Sequence, residues 1–138
     1  MEINQSISLL YALSARALLA AGLDPTTGLH HKTRYSIPLV YDYSEMFKPV
    51  AVHAAIKAMS KAGRLPGLDK DGYLTKESMR FLFEEFFYIF KARIRGAKIT
   101  PHRAVYVNAF RLAARIRGDK SAKYTFTYNP KKLKYPER

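Results

Sequence analysis

Three side chains in this sequence have the chemistry and the separations to act on a phosphodiester: His31, Asp42 and Glu45. Carboxylates three residues apart at the start of a helix face the same side. A histidine eleven residues upstream, at the end of a loop, can fold back over that turn. One imidazole and two carboxylates suit a hard or borderline divalent ion, Mg²⁺ or Mn²⁺, that keeps open water positions. Such an ion polarises a phosphodiester and activates a water or hydroxyl. The same residues have a plainer reading. Acids in a first turn complement the positive end of the helix dipole, and the histidine is then an ordinary loop residue. Spacing alone leaves both open.

The charge of the chain points to the same class of partner. Its 138 residues carry 24 Lys or Arg against 11 Asp or Glu, a formal net charge of +13. Residues 1–90 nearly cancel, with ten basic residues against nine acidic. Residues 91–138 hold fourteen basic residues against only Asp119 and Glu137. A block of that kind repels itself unless a polyanion lies on it; the alternative is a solvated, solubilising tail. The absence of cysteine excludes a disulfide scaffold, a thiolate zinc site and a cysteine nucleophile. The most apolar stretch, Leu9 to Leu23, is interrupted by Ser14 and Arg16 and is too short for the ~20 residues a bilayer needs. The expectation is therefore no membrane and a cytoplasmic location.

Four helical patterns must position these residues. The first runs from Ile3 to Ala21, apolar on most sides, and belongs in the middle of a bundle. Gly22 and Pro25 stop it, and a punctuated loop carrying His30 and His31 extends to Tyr41. The second pattern runs from Asp42 to Ala62. Pro49 inside it either opens a separate helix or kinks a continuous one. A turn-rich connector, Arg64 to Tyr73, precedes a third helix capped by Thr75 and closed by Gly96. Phe83, Phe86, Phe87 and Phe90 form one aromatic face of it, read as core rather than as a base-stacking platform. Lys91, Arg93 and Arg95 load its negative end with cations. Thr100-Pro101 starts a fourth helix that ends at Gly118, with Arg111 and Arg115 one turn apart. The expected fold is all-α: a helical bundle of four long helices with an extended loop and a basic C-terminal tail. Residues 1–118 form the domain, and 119–138 an aromatic, basic arm ordered on a partner.

Several blocks, in order, carry a resemblance. Asn4 to Leu13, Ala20 to Pro25, Gly28-Leu29-His30-His31, Pro38 to Pro49 and Asp71 to Thr75 resemble the helical catalytic domain of the CRISPR-associated spacer-acquisition integrases. The resemblance implies that His31, not His30, is the metal-binding histidine, and that Asp42 and Glu45 are the acidic pair. Glu45 is then a longer-armed variant of the usual distal aspartate. Lys48 takes the place of an arginine, and His53 stands where an aspartate is common. The family's N-terminal β-rich domain, which builds its dimer, and a helix bearing a glutamate metal ligand have no counterpart here. The resemblance is to a truncated form, and the expectation is that another chain supplies the missing glutamate or that the site is incomplete.

The implied activity is metal-dependent DNA integration or endonuclease cleavage. A 3′-hydroxyl attacks a phosphodiester by direct transesterification, or water attacks in its place. Mg²⁺ or Mn²⁺ is the implied cofactor, with His31 a neutral ligand or a contact to the scissile phosphate. The implied partners are duplex or branched DNA, a second copy of the chain, and a second protein: one that supplies the missing domain, or a Cas-two-like protein. The alternative is a catalytically inactive or split-enzyme relative that binds DNA without reading sequence. In both cases Lys91, Arg93, Arg95, Arg111, Arg115, Lys131 and Lys132 are the expected phosphate contacts. An RNA-binding protein has the same charge signature but does not account for the ordered blocks.

Overall fold

Arg16 is the only charge between Ile3 and Leu23, and the helix it interrupts lies at the centre of the molecule. The structure is a computed structural model that describes residues 2–25, 38–62 and 70–134. Among these, α1 spans Glu2–Ala20 and packs on all four other helices: α2 (Pro38–Ser44), α3 (Lys48–Ala62), α4 (Lys76–Phe90) and α5 (Pro101–Ile116). The architecture is the expected all-α bundle, with one addition. A two-residue antiparallel pair joins β1 (Arg93–Ile94) to β2 (Leu133–Lys134).

Helix ends follow local chemistry. Gly22 adopts φ +81°, and Leu23 N–H returns to Leu18 O at 2.9 Å, the left-handed closure that favours glycine. The hydroxyls of Thr75 and Thr100 accept from Ser78 N–H and Arg103 N–H, each at 3.2 Å. Pro101 occupies the first turn of α5, where its missing N–H costs nothing.

The core joins Leu10, Leu13, Ala17 and Leu18 of α1 to Phe47, Phe86, Phe90 and Leu112. Alanines at 51, 54, 55 and 58 let α3 approach closely, and Ser6 Oγ donates across that contact to Ala51 O at 2.6 Å. Tyr43 OH donates to Val105 O and so ties α2 to α5. Burial pushes the Tyr43 phenol up, and it remains a neutral donor.

Four expectations need correction. The second helix begins at Pro38, so Asp42 lies in the later part of α2 rather than at a helix start. Of the two readings that Pro49 allowed, the separate helix is the one found: α2 gives way to a 3₁₀ turn, Glu45–Phe47, and Pro49 is the second residue of α3. The third helix ends at Phe90, because Ala92 and Ile94 turn inward to bury, and Arg93 and Arg95 are therefore not on it. Its buried face is Leu82, Glu85, Phe86, Ile89 and Phe90, whereas Phe83 is 51% exposed.

The fourth correction concerns the tail, whose described residues pack on the bundle without a partner. Thr125 N–H donates to the buried Asn108 Oδ1 at 2.9 Å, and the Phe126 ring lies 4.9 Å from that of Phe47. Tyr128 reaches His53, and β2 closes on β1. Tyr124, Phe126 and Tyr128 alternate because an extended chain turns every second side chain to the same face.

Candidate active site and nucleic-acid interface

The chain stays right-handed through the junction of α2 and α3. Ser44 and Lys48, on either side of the 3₁₀ turn, both hold helical backbone angles. Asp42 is half-buried, and three residues later Glu45 opens the turn and is exposed. Asp42 and Glu45 thus sit on either side of a helix end along one continuous right-handed coil. Oxygen donors of this kind suit a hard divalent ion. Among the described residues no three His, Cys, Asp or Glu side chains gather closely enough to hold a metal. His31, the expected third ligand, lies outside the described residues. Leu39 N–H donates to Pro25 O at 3.2 Å, which joins the end of α1 to the start of α2.

Glu45 stands at the rim of a groove of about 630 Å³ whose walls include Lys48, Val52, His53, Ile56 and Tyr128. Lys48 Nζ lies 5.9 Å from the centroid of the Tyr11 ring, and Tyr11 meets Tyr41 edge-on at 4.9 Å. These rings fix the ammonium beside the acidic turn. His53 Nδ1 and Tyr128 OH, both on the lining of the groove, share a hydrogen bond. Burial, and then the charge of Lys57, hold His53 below the usual histidine range. The ring is therefore neutral near pH 7 and can accept a hydrogen bond from Tyr128 OH. The sequence reading missed this pairing, and its only local trace is the period-two spacing of the tail aromatics.

The expected phosphate contacts are spread over three elements. Lys91 caps the C-terminus of α4, and Arg93 and Arg95 are exposed on and just after β1. The β1–β2 register sets Arg93 opposite Lys134, so Leu133–Lys134 return beside Arg93. Lys131 is exposed; of Lys132 only the backbone, in a 3₁₀ turn, is described. Arg111 and Arg115 are exposed on α5, and Arg115 Nη1 donates to Ala122 O at 3.2 Å. Arg117 is a structural cation: its Nη2 reaches Ala21 O, at the end of α1, at 3.4 Å. No helix among the described residues is long and apolar enough to cross a membrane.

A sequence profile described as CRISPR associated protein Cas1 matches residues 2–87. The chain belongs to this family. It is 33% identical over 129 residues to a CRISPR-associated endonuclease Cas1 from Hyperthermus butylicus, covering 89% of this chain and 38% of that protein. It is 42% identical over 66 residues to CRISPR-associated endonuclease Cas1 2 of Saccharolobus solfataricus, covering 47% of this chain and 22% of that one. The chain thus spans well under half the length of these Cas1 relatives. Its fold is that of part of a solved casposase bound to integration product, with a TM-score of 0.75 and 24% identity. That likeness covers 91% of this chain and 37% of the casposase.

Proposed function

We propose that this chain supplies the helical catalytic portion of a Cas1-type DNA integrase or endonuclease. The observation that carries the reading is the family match over residues 2–87, which spans His31, Asp42 and Glu45. Two further facts support it: the groove beside Glu45 is bordered by Lys48, and the casposase that shares the fold is bound to integration product.

In this reading Asp42, Glu45 and His31 contribute the chain's share of a Mg²⁺ or Mn²⁺ site. The bound ion would offset charge on the attacked phosphodiester and activate the 3′-hydroxyl or water. Asp42 and Glu45 enter from consecutive turns. His31 lies outside the described residues, between Pro25 and Leu39 in the chain, whose backbones share a hydrogen bond. The bond His53 forms with Tyr128 fixes the far wall of the groove, and Lys48 presents its ammonium to a DNA phosphate. The exposed Arg93, Arg95, Arg111 and Lys131 hold the remaining backbone without reading sequence.

The test is cleavage or rejoining of a branched DNA duplex with Mn²⁺. Asp42→Ala should abolish turnover and leave DNA binding in place. Turnover no higher than a metal-free control, with binding retained, overturns the catalytic reading. It would favour the alternative, a sequence-independent DNA-binding module.

A further inference from the structure

Two side chains from the acidic segment converge on Tyr11. This residue is half-buried on α1, the central helix, and packs against the edge of the core. Its ring meets that of Tyr41 edge-on, with centroids 4.9 Å apart and planes at 65°. The same ring has the Lys48 ammonium 5.9 Å from its centroid. Tyr41 immediately precedes Asp42, and Lys48 follows Glu45 by three residues. One side chain of α1 is therefore in reach of both ends of the stretch that carries the acidic pair.

That stretch gains from being held. It passes from α2 through the 3₁₀ turn into α3, and 3₁₀ hydrogen bonds have poorer geometry than those of an α-helix. Ser44 lends the turn no side-chain cap; its Oγ donates instead to Tyr41 O at 3.1 Å. Val40 and Phe47 are fully buried and anchor the backbone on the core, whereas Asp42 is half-buried and Glu45 exposed. Lys48 N–H donates to Glu45 O, so the two residues are tied through the main chain. A lysine side chain is a flexible four-carbon stem, and a ring face within about 6 Å of its ammonium draws it to one place. The edge-on approach of Tyr41 is the arrangement that ring quadrupoles favour.

We infer that Tyr11 is a positioning residue for the acidic turn: its ring holds Tyr41 and Lys48, and so fixes Asp42 and Glu45 in relation to the Lys48 ammonium. The inference rests on the catalytic reading above and gives Tyr11 itself no contact with DNA or metal. The ring is the working part, because both contacts are made to it. Misplacing a reacting group by about 1 Å can cost about 100-fold in rate. The exposed Arg93, Arg95 and Arg111 stand on and around β1 and on α5, away from this ring, so loss of Tyr11 falls on turnover rather than on grip.

The test compares the full parent chain with Tyr11→Phe, Tyr11→Leu and a chain carrying pentafluorophenylalanine at position 11. The fluorinated ring keeps the shape and reverses the charge of its face, so it tests the ring electrostatics even if the leucine chain folds poorly. Turnover is measured on a branched DNA duplex with Mn²⁺. The Lys48 methylene next to the ammonium is followed by NMR without DNA or metal, and assigned with Lys48→Gln. Tyr11→Leu and the fluorinated chain should lower kcat by roughly 10- to 100-fold and leave KM for DNA little changed. Both should also move the Lys48 signal toward that of an exposed lysine. Tyr11→Phe should keep kcat and the signal near the parent's. Equal kcat in all four chains overturns the positioning role. So does a loss in Tyr11→Phe as large as in Tyr11→Leu, which makes the hydroxyl the working group. A parent with no turnover above a metal-free control overturns the catalytic reading instead. The hold on Lys48 is then judged by its signal alone, and a signal indifferent to the fluorinated ring overturns it.

Discussion

Replacing Phe126 by alanine tests whether the basic tail belongs to the fold. The Phe126 ring lies 4.9 Å from that of Phe47, which is fully buried, and 6.5 Å from that of Tyr128. Truncating a fully buried phenylalanine costs about 3–5 kcal/mol. Phe126 is only half-buried, so roughly half of that, about 2 kcal/mol, is expected. For a chain of this size such a loss lowers the melting temperature by about 4–8 °C. The assay pairs a thermal melt followed by circular dichroism with limited trypsin digestion after the exposed Lys123 and Lys131. Phe126→Ala should melt earlier and lose its tail faster than the parent. If both proteins melt together and shed the tail at the same rate, the tail does not stabilise the bundle and the packing argument is wrong.

Three other outcomes follow from the same geometry. Asn108→Leu removes the acceptor for Thr125 N–H and the bond from Nδ2 to Ala104 O at 3.0 Å; chemical denaturation should show a loss of about 1–3 kcal/mol. Thermal stability should fall as the pH is lowered from about 7.5 to about 5, because His53 titrates below the unfolded value of about 6.5. Between the two values the unfolded chain binds more protons, so stability rises with pH across that window and is fully present above it. His53→Gln should flatten part of that dependence, and His102, whose shift has the same sign, should retain the rest. Finally, Arg111→Gln with Lys131→Gln should weaken duplex binding and lower its salt slope by about 1.8, measured by fluorescence anisotropy; an unchanged slope removes both from the interface.

What could be read in the sequence was local. Thr75, Thr100-Pro101, Gly22 and Gly118 announce helix ends because capping and left-handed closure involve only neighbours within a turn. The start of α2 was missed because Pro38 reads equally as loop punctuation and as a first helical residue. The end of α4 was missed for a different reason. Gly96 does take a positive φ of 84°, but the chain has already left the helix at Phe90, where burial of Ala92 and Ile94 outweighs helical continuity. Ile94 pairs with Leu133, a contact no short window contains. The aromatic stripe misled by one position: Phe83 and Phe87 pack on each other at 4.7 Å at the edge, and Leu82 and Ile89 take the inward places. The spacing of Asp42 and Glu45 is local and can be read in the sequence, but the groove beside Glu45 cannot, because it is lined by Tyr128, which is 75 residues from its partner His53.

That wall changes how the two halves of the function relate. In sequence the acidic pair and the cationic tail are separate features, one for chemistry and one for grip. In the fold Glu45 and Tyr128 border the same groove, and the tail's Phe126 covers Phe47, which completes the 3₁₀ turn that Glu45 begins. Deleting Lys120–Arg138 therefore removes charge, uncovers Phe47, leaves the Asn108 side chain without Thr125 and frees His53 together. Weaker DNA binding by such a truncation says little about phosphate contacts, because a loosened groove gives the same result. Only substitutions that remove charge and spare the packed face, such as Lys131→Gln, separate grip from architecture.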